Sequence, residues 1–306
     1  MNLTLSSVLS AEDTARCLPY PELVACLGKA MAEHAAGRIL APERQVLNYP
    51  QGGQMLSMPA VAHDVGVHKL ANVMPDNPAL GLPSILALVA VYDARTGQTL
   101  ALLDGPTVTV RRTAAVSMLG IQALWPQGPT HVATLGCGRQ ALGHADAILT
   151  LYPNARVTLT CRNPPRAEQA VAGLRERHGG RVRLTRDLPA DADVVIALTG
   201  SLTPVYHEEA RLERLLIGVG AFRADMAEFE PHTLHASRLY VDDLNGARHE
   251  AGDLLQAQVD WDQVQGIHQV LRSPAPRDKP FFFKSVGCAA WDLAAARCAL
   301  QIAESD

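Results

Sequence analysis

Residues 136–141, with the sequence Gly-Cys-Gly-Arg-Gln-Ala, follow a short apolar run and precede a segment with helical periodicity. This spacing fits the G-x-G-x-x-G/A pattern, in which Gly136 permits a tight turn and Gly138 lets a phosphate approach the backbone. The helix that follows offers amide donors and its positive dipole end to an anion. The turn therefore predicts a site for the pyrophosphate of a dinucleotide, with Arg139 and Gln140 beside it. A glycine turn without a ligand is the alternative.

The residue at the end of the next apolar run discriminates between two dinucleotides. An NAD site usually has Asp or Glu about twenty residues after the turn, against the ribose hydroxyls. Here Cys161 has that position, Arg162 and Asn163 follow, and Arg166 lies one helical turn further on. A guanidinium suits a 2′-phosphate, and no carboxylate is present to repel it. We therefore expect NADP(H), with NAD(H) as the alternative, in which Arg162 is a solvated surface charge.

The elements that must position this turn follow from the pattern of apolar runs. After the turn, short apolar runs alternate with helical stretches, which predicts a parallel, doubly wound sheet with right-handed crossovers. The first hundred residues mix helix and strand, with a helix over 19–37 and two strands over 84–105 around a turn at 93–97. A helix over 107–125 leads into the sheet. The strands predicted for the sheet are 131–136, 155–161, 193–199, 214–220 and 238–243.

The composition is that of a folded globule and excludes several functions. Of the 306 residues, 48% are hydrophobic and 19% charged, which favours a folded core over disorder and, at this length, two domains. The net charge of −4 and the lack of Lys/Arg-rich runs argue against nucleic acid or a membrane surface as partner. No signal peptide, membrane span or metal-ligand set is evident. Six scattered cysteines without a C-x-x-C pair indicate free thiols in the cytoplasm.

Three cations upstream of the turn form a second group of candidate residues: Arg44 in PERQVL, Lys69 in VHKLANVM and Arg112 in TVTVRRTAAVS. Arg44 and Arg112 can each present two parallel donors to a carboxylate. Lys69 can add charge and exchange a proton, because partial desolvation lowers the pKa of an ammonium. For each residue alone, a surface or structural cation is the alternative interpretation.

These segments occur in one order with VGAFRADMAEFE, HEAGD and FKSVGCAAWDLAAA. The combination resembles the ornithine cyclodeaminase and mu-crystallin family, from about residue 40 to about residue 297. The resemblance implies an α/β fold with a Rossmann doubly wound parallel sheet over residues 117–286. It also implies an α+β substrate-binding and dimerisation domain built from both chain ends, residues 1–116 and 287–306. The protein is then expected to be a homodimer.

Members of this family exchange a hydride at the α carbon of an amino acid through an imine. The resemblance implies that Arg44 and Arg112 bind a substrate carboxylate and that Lys69, the catalytic residue, handles the proton. It places Ser84 near the nicotinamide. The remaining residues expected to contact the cofactor are Arg112, Thr113, Thr199, Ser201, Val219 and Ser285. Serine and threonine also serve as turn residues, which is the alternative for each of them.

One loop departs from the cyclodeaminases. Those enzymes have an Asp two residues after the second Gly of this loop and a Lys four residues beyond it, whereas this chain has Phe222 and Met226. Neither residue accepts a proton, and burying a substrate ammonium against them would be costly. The loop instead resembles the mu-crystallin version, with Arg223, Asp225 and Glu228.

This departure favours a substrate with an apolar or cyclic side chain, which Phe222 would contact. We therefore predict NAD(P)H-dependent reduction of a ketimine carboxylate, with the pyrroline-2-carboxylate and piperideine-2-carboxylate type as leading example. Glu250 matches a family glutamate that reaches the substrate cavity, and a helix-cap carboxylate is the alternative. The competing functions are an ornithine cyclodeaminase, an amino-acid dehydrogenase of the alanine type, and a non-catalytic NADP-binding protein like the crystallins.

Overall fold

The structure is a computed structural model that describes residues 7–271 and 273–305. The side chains of Ser7, Arg166 and Ser305 are outside the description, so the prediction for the Arg166 guanidinium falls outside the described residues. Within the described ranges, no helix is both long and apolar enough to cross a membrane.

The chain divides into two compact units. Unit 1 contains the described residues up to Arg112 and those from Cys288 onward, and unit 2 is Thr113–Gly287. The two chain ends therefore belong to the same unit. One unit carries a mainly antiparallel sheet and the other a parallel sheet, which confirms the predicted mixed α/β fold class.

Unit 1 is built on a six-stranded sheet. In chain order, its first elements are β1 (Ser7–Val8), α1 (Ala11–Arg16), α2 (Tyr20–Ala35), β2 (Gln45–Asn48), β3 (Gln54–Val61), β4 (Val65–Val73), β5 (Ile85–Asp93), β6 (Thr99–Asp104) and the first turns of α3 (Gly105–Leu124). The sheet has the order β1-β6-β5-β4-β3-β2. The strands from β6 to β2 pair antiparallel, and β1 pairs parallel with β6.

Local chemistry explains two elements of unit 1 that the sequence predicts. In α2, Leu23, Leu27 and Met31 recur at a spacing of four and are all buried, so one face of the helix packs on the core. Between β5 and β6, one oxygen of Asp93 accepts hydrogen bonds from the backbone N–H groups of Arg95 and Thr96, at 3.0 and 2.7 Å. This turn, held by the Asp93 side chain, reverses the chain where the sequence predicts a turn.

Unit 2 is built on an eight-stranded sheet. Its elements are β7 (His131–Leu135), α4 (Arg139–Leu151), β8 (Arg156–Thr160), α5 (Pro164–His178), β9 (Val182–Thr185), β10 (Val194–Ala197), β11 (Leu215–Gly218), α6 (Pro231–His235), β12 (Arg238–Val241), α7 (Leu244–Glu250), α8 (Gly252–Gln256), β13 (Gln265–Gly266), α9 (Ile267–Val270) and β14 (Phe281–Lys284). All neighbours in the order β13-β12-β14-β11-β10-β7-β8-β9 pair parallel.

The order of these strands places the glycine turn at a reversal of the sheet. The chain runs from β7 to β8 and β9 on one side, and then returns to β10 on the other side of β7. Doubly wound sheets bind their ligands at such a switch point, beyond the carboxyl ends of the strands. Five of the strands confirm sequence predictions. The sequence does not predict β14, which lies inside the sheet between β11 and β12.

The last helix, α10 (Ala289–Ser305), belongs to unit 1. It packs on α2 and on strands β3 and β4. Its Arg297 forms ion pairs with Glu33 of α2 and with Asp64, both at 2.7 Å. This helix also carries Asp292, a fully buried carboxylate in an otherwise apolar stretch.

Candidate active site

Lys69 lies in the middle of β4, opposite Met58 of β3 and Val89 of β5. Because side chains alternate along a strand, Lys69 shares its face of the sheet with Val67 and Ala71. All five residues are buried, and only 3% of Lys69 is exposed. The strand thus directs an ammonium into the interior of unit 1.

Asp292 is the charge partner of this ammonium. Its Oδ2 lies 2.7 Å from Nζ of Lys69, and its Oδ1 lies 3.4 Å from Nε of Arg112, which is 7% exposed. Among the described residues, neither carboxylate oxygen has a hydrogen-bond partner of regular geometry, so these contacts are mainly electrostatic. Two cations share one carboxylate, and the cluster therefore carries excess positive charge where solvent does not reach.

The electrostatics of the cluster tune the proton affinity of Lys69. Burial lowers the pKa of Lys69 to about 8, against the opposing effect of Asp292. The positive charges of Arg112 and of Arg44, which lies half-buried just before β2, lower that pKa further. The structure thus brings the three predicted cations together in unit 1. A lysine of this kind can exchange a proton near neutral pH.

The glycine turn of unit 2 has the geometry of a phosphate site. Gly136 has a φ of +111°, and a Cβ there would lie 2.9 Å from the carbonyl oxygen of Leu198. Gly138 directly precedes α4, and a Cβ on it would meet no atom within 4 Å, so space is open where a phosphate would approach. Arg139 is exposed beside this space and Gln140 is half-buried. The turn therefore fits the pyrophosphate of a dinucleotide.

The end of β8 lies beside this turn. The backbone N–H of Gly136 donates to the carbonyl of Thr160 at 2.8 Å, and Cys161 follows at 8% exposure. Burial raises the pKa of Cys161 to about 11, and a hydrogen bond with Cys137 acts in the same direction. Arg162 and Asn163, the two residues before the next helix, are exposed. The position that discriminates between dinucleotides thus offers a neutral thiol and an accessible guanidinium.

Four of the residues predicted to contact the cofactor lie just after the carboxyl ends of strands. Thr199 and Ser201 follow β10, Val219 follows β11 and Ser285 follows β14. The Thr199 hydroxyl donates to Glu228 at 2.8 Å, that of Ser201 to the carbonyl of Thr203 at 2.6 Å, and that of Ser285 to Asp242 at 3.0 Å. The Thr199 hydroxyl also accepts from the backbone N–H of Ser201, and the Ser201 hydroxyl from that of Thr203, both at 3.3 Å.

The other predicted residues differ in their burial and in the elements that carry them. Ser84 of unit 1 is half-buried just before β5, and Thr113 of unit 2 is buried within α3. Phe222, in the loop after β11, is 44% exposed and so is accessible to a ligand. Glu250 is the half-buried last residue of α7, whereas the side chain that caps the start of α7 is Asp243.

Phe222 and Met226, which differ from the cyclodeaminase pattern, enclose a short segment that carries an ion pair. Met226 is 3% exposed and packs in the core. Arg223 and Asp225 form an exposed ion pair with each other at 2.8 Å. The Asp225 carboxylate is therefore paired with its own neighbour in the loop.

Three buried acidic residues are not identified by the sequence. Asp292 has a signal in the sequence, because it is the one charged residue between Lys284 and Arg297. Asp253 and Asp242 precede or begin helical turns, where an acidic side chain usually serves as a cap. Their burial, at 1% and 5% exposure, depends on tertiary contacts that spacing does not reveal.

A doubly wound sheet with a phosphate turn at its switch point, together with a buried cationic cluster in a second unit, defines a two-unit protein of the dinucleotide-binding α/β class. The profile of the ornithine cyclodeaminase/mu-crystallin family matches residues 6–305. The chain belongs to this family.

Two relatives resemble the chain over most of its length. It is 53% identical over 293 residues to the Δ1-pyrroline-2-carboxylate/Δ1-piperideine-2-carboxylate reductase of Azospirillum brasilense, a match that covers 95% of this chain and 94% of the relative. It is 51% identical over 290 residues to Δ1-pyrroline-2-carboxylate reductase 2 of Burkholderia ambifaria, covering 94% and 93%.

Solved structures share the fold. The Δ1-pyrroline-2-carboxylate reductase of Thermococcus litoralis, solved with NADH and L-proline, matches with a TM-score of 0.87 at 24% identity, covering 99% of this chain and 98% of that one. An archaeal alanine dehydrogenase dimer with bound NAD matches with a TM-score of 0.83 at 24% identity, covering 98% and 95%.

Proposed function

We propose that this protein is an NAD(P)H-dependent reductase of cyclic ketimine carboxylates, with Δ1-pyrroline-2-carboxylate and Δ1-piperideine-2-carboxylate as substrates. The observation that carries the proposal is the buried cluster of Lys69, Arg112 and Asp292, in which positive charge is in excess. A substrate carboxylate would neutralise that excess. The names of relatives that are 53% and 51% identical support the same substrates.

Each residue of the cluster has a separate role toward the substrate. Arg112 and Arg44 bind the carboxylate, and the planar C=N bond is thereby held in one orientation. The ammonium of Lys69 donates its proton to the imine nitrogen, which makes the imine carbon more electrophilic. Asp292 holds the ammonium in place through the 2.7 Å contact. A bound reduced nicotinamide supplies the hydride that the imine carbon accepts, and the product is the cyclic amino acid.

The test of this function is a comparison of substrates. Purified protein is mixed with NADPH or NADH and with each of the two cyclic imines, and with open-chain 2-oxo acids plus amines, while the absorbance of the reduced nicotinamide is followed. Ammonia release from ornithine is measured in parallel. We expect oxidation of the nicotinamide with the cyclic imines. Turnover of ornithine without reduction of any imine would overturn the proposal in favour of a cyclodeaminase.

We further propose that NADP(H) is preferred to NAD(H). The support is the neutral Cys161 in the place of an acidic residue and the exposed Arg162 beside it. Arg162→Ser is expected to lower kcat/KM for NADPH by about tenfold, a typical effect of one charge-assisted contact, and to leave that for NADH unchanged. Arg183→Ser, at an exposed position on β9, is the matched control. Equal effects of Arg162→Ser on both nucleotides would contradict the preference.

We also propose that the protein is a homodimer in the cytoplasm. All six cysteines are free thiols, as is typical of a reducing compartment. Unit 1 exposes several large apolar side chains, and exposed apolar surface of this kind commonly marks an interface between subunits. They are Val46, Leu47, Leu80, Leu82, Ile85, Leu86 and Leu88. A second copy of this chain is the partner that we propose for this surface, which we call the apolar surface of unit 1.

A further inference from the structure

Glu228 is a fully buried carboxylate in the loop between β11 and α6. Its Oε1 accepts hydrogen bonds from the backbone N–H and the hydroxyl of Thr199, at 2.6 and 2.8 Å. Its Oε2 accepts from the backbone N–H groups of Gly220 and Ala221, at 2.7 and 3.1 Å. These four donors match the acceptor capacity of one carboxylate. They belong to two loops, one after β10 and one after β11.

The backbone of Glu228 is itself held from two sides. Its N–H donates to Oδ1 of Asp253 at 2.6 Å, and its carbonyl accepts from the N–H groups of Val205 and Tyr206, both at 2.9 Å. The second oxygen of Asp253 forms an ion pair with Lys284 of β14 at 2.7 Å, and both of these side chains are fully buried. Glu228 is therefore a fixed acceptor, anchored to the sheet, rather than a mobile side chain.

Gly220 shows how closely the two loops approach. A Cβ on Gly220 would lie 2.0 Å from the carbonyl oxygen of Thr199 and 2.4 Å from Oε1 of Glu228. The loops therefore meet backbone to backbone at this point. Because both present N–H groups to the same small volume, a buried anion is what keeps their donors satisfied.

Both loops lie along the edge where a nucleotide would extend. Strand β10 pairs with β11 on one side and with β7, which carries the phosphate turn, on the other. The adenosine half is expected at the end of β8, on the far side of β7. The nicotinamide half then extends in the other direction, over the ends of β10 and β11.

We propose that Glu228 is a positioning residue for the nicotinamide half of the nucleotide. It fixes the loops after β10 and β11 in the shape that receives the ring, and does so through their backbone N–H groups. The inference rests on the proposed function and deepens it, because it assigns a role to a residue that lies beneath the nucleotide site.

The substitution Glu228→Gln tests this role with almost no change of volume. A carboxamide has one acceptor oxygen and one NH2 donor, so its donor would face N–H groups of one of the two loops. That loop must then move away. We expect the dissociation constant of NADPH to rise by about tenfold or more, in line with the loss of a buried acceptor, and kcat to fall.

Asp193→Asn is the matched control. Asp193 lies just before β10, at the opposite edge of the same sheet, where its Oδ2 accepts from the backbone N–H and the hydroxyl of Thr130, both at 2.8 Å. Its Oδ1 accepts from the N–H of His131 at 3.1 Å. This variant removes the same kind of acceptor and is expected to lower Tm without changing nucleotide affinity.

Nucleotide affinity is measured by the fluorescence of bound NADPH, well below the Tm of each variant, so it requires no turnover. A Glu228→Gln protein that binds NADPH as tightly as Asp193→Asn would overturn the inference and assign Glu228 a purely structural role. A wild-type protein that binds NADPH but reduces no imine would instead overturn the proposed function and leave this comparison valid.

A measurement on the wild-type protein covers the case in which Glu228→Gln does not fold. Amide hydrogen exchange is followed by mass spectrometry with and without NADPH. We expect slower exchange with NADPH in the loop segments 199–205 and 219–222, and no change at 129–131. Unchanged exchange in both loops would also overturn the inference.

Discussion

At the residue scale, the chemistry of Lys69 follows from the balance between burial and its neighbours. Desolvation disfavours the ammonium more than Asp292 favours it, which is why its pKa falls to about 8 rather than staying near that of an exposed lysine. Arg112 and Arg44 push the pKa in the same direction as burial. A lysine that releases a proton this readily suits an acid that must act on an imine near neutral pH.

Lys69→Met should remove the proton donor while keeping the volume of the side chain. We expect kcat for imine reduction to fall by roughly two to four orders of magnitude, the usual contribution of a general acid, with NADPH affinity unchanged. Steady-state kinetics and NADPH fluorescence measure the two quantities. Lys29→Met, at an exposed position of α2, is the control and should retain full activity. Wild-type kcat in Lys69→Met would rule out its assigned role.

Asp292→Asn should move the pH profile of the reaction. The protonated form of Lys69 is the active form, so kcat/KM for the imine falls about tenfold per pH unit above the pKa of about 8. Asp292 raises that pKa, so its loss lowers the pKa and moves the alkaline limb to lower pH. Profiles of kcat/KM measure the shift. Asp64→Asn, which removes a charge paired with Arg297, is the control. An alkaline limb at the same pH in wild type and Asp292→Asn would contradict the assignment of that limb to Lys69.

The sequence predicted the three cations because they occur in recognisable segments. It could not predict their partner, because the contact between Asp292 and Lys69 joins residues more than two hundred positions apart. The signal that Asp292 did give was chemical: a single acid in an apolar helical run needs a buried cation. For Glu228, the sequence indicated the type of loop but not the four donors that converge on its carboxylate.

At the scale of elements, the order of strands places the phosphate turn where a nucleotide can bind. Strands such as β7 and β10 are short, fully buried apolar runs bounded by turns, and this pattern predicts them well. Strand β2 is exposed along its whole length and shows no alternation, so no apolar signal identifies it. Strand β14 has four residues directly after Pro280, too short a run to distinguish from the Pro-rich connector before it.

The two glycines of the turn should respond differently to alanine. Gly138→Ala adds a methyl group to open space, so Tm should stay within a degree or so of wild type, while NADPH affinity falls because the methyl group meets the pyrophosphate. Gly136→Ala must adopt a φ of +111° and should lower the stability by about 1–2 kcal/mol or more. Thermal unfolding and NADPH fluorescence measure these effects.

Gly180→Ala, where a Cβ also meets no atom within 4 Å, is the control for Gly138→Ala and should change neither Tm nor NADPH affinity. Unchanged NADPH affinity in Gly138→Ala would mean that the phosphate does not approach this turn.

At the scale of the whole molecule, the two chain ends form one unit and the middle of the chain forms the other. In the proposed function, the unit made from the ends supplies the charged groups for an imino acid, and the middle supplies the turn and strand ends for a dinucleotide. A sequence pattern can identify the second unit by its alternation of strands and helices. The first unit is recognisable from sequence only through resemblance, because its strands carry mixed burial patterns.

The apolar surface of unit 1 predicts the state of assembly. Light scattering or sedimentation should give twice the mass of one chain for the wild-type protein. Leu47→Lys combined with Leu86→Lys should give the monomer, because two ammonium groups would have to be buried in the interface. Leu202→Lys changes an equally exposed leucine of unit 2 and should leave the dimer intact. A monomeric wild type, or a dimeric double variant, would contradict the proposed interface.

In the proposed function, a hydride passes from the nicotinamide to the α carbon of a cyclic imino acid. The most direct measurement uses NADPH that carries deuterium at both positions of nicotinamide C4, together with Δ1-pyrroline-2-carboxylate and the wild-type protein. Mass spectrometry and NMR then locate the label in the product. We expect proline with one deuterium at its α carbon. Unlabelled proline, or no proline while the nucleotide is bound, would contradict the proposed function.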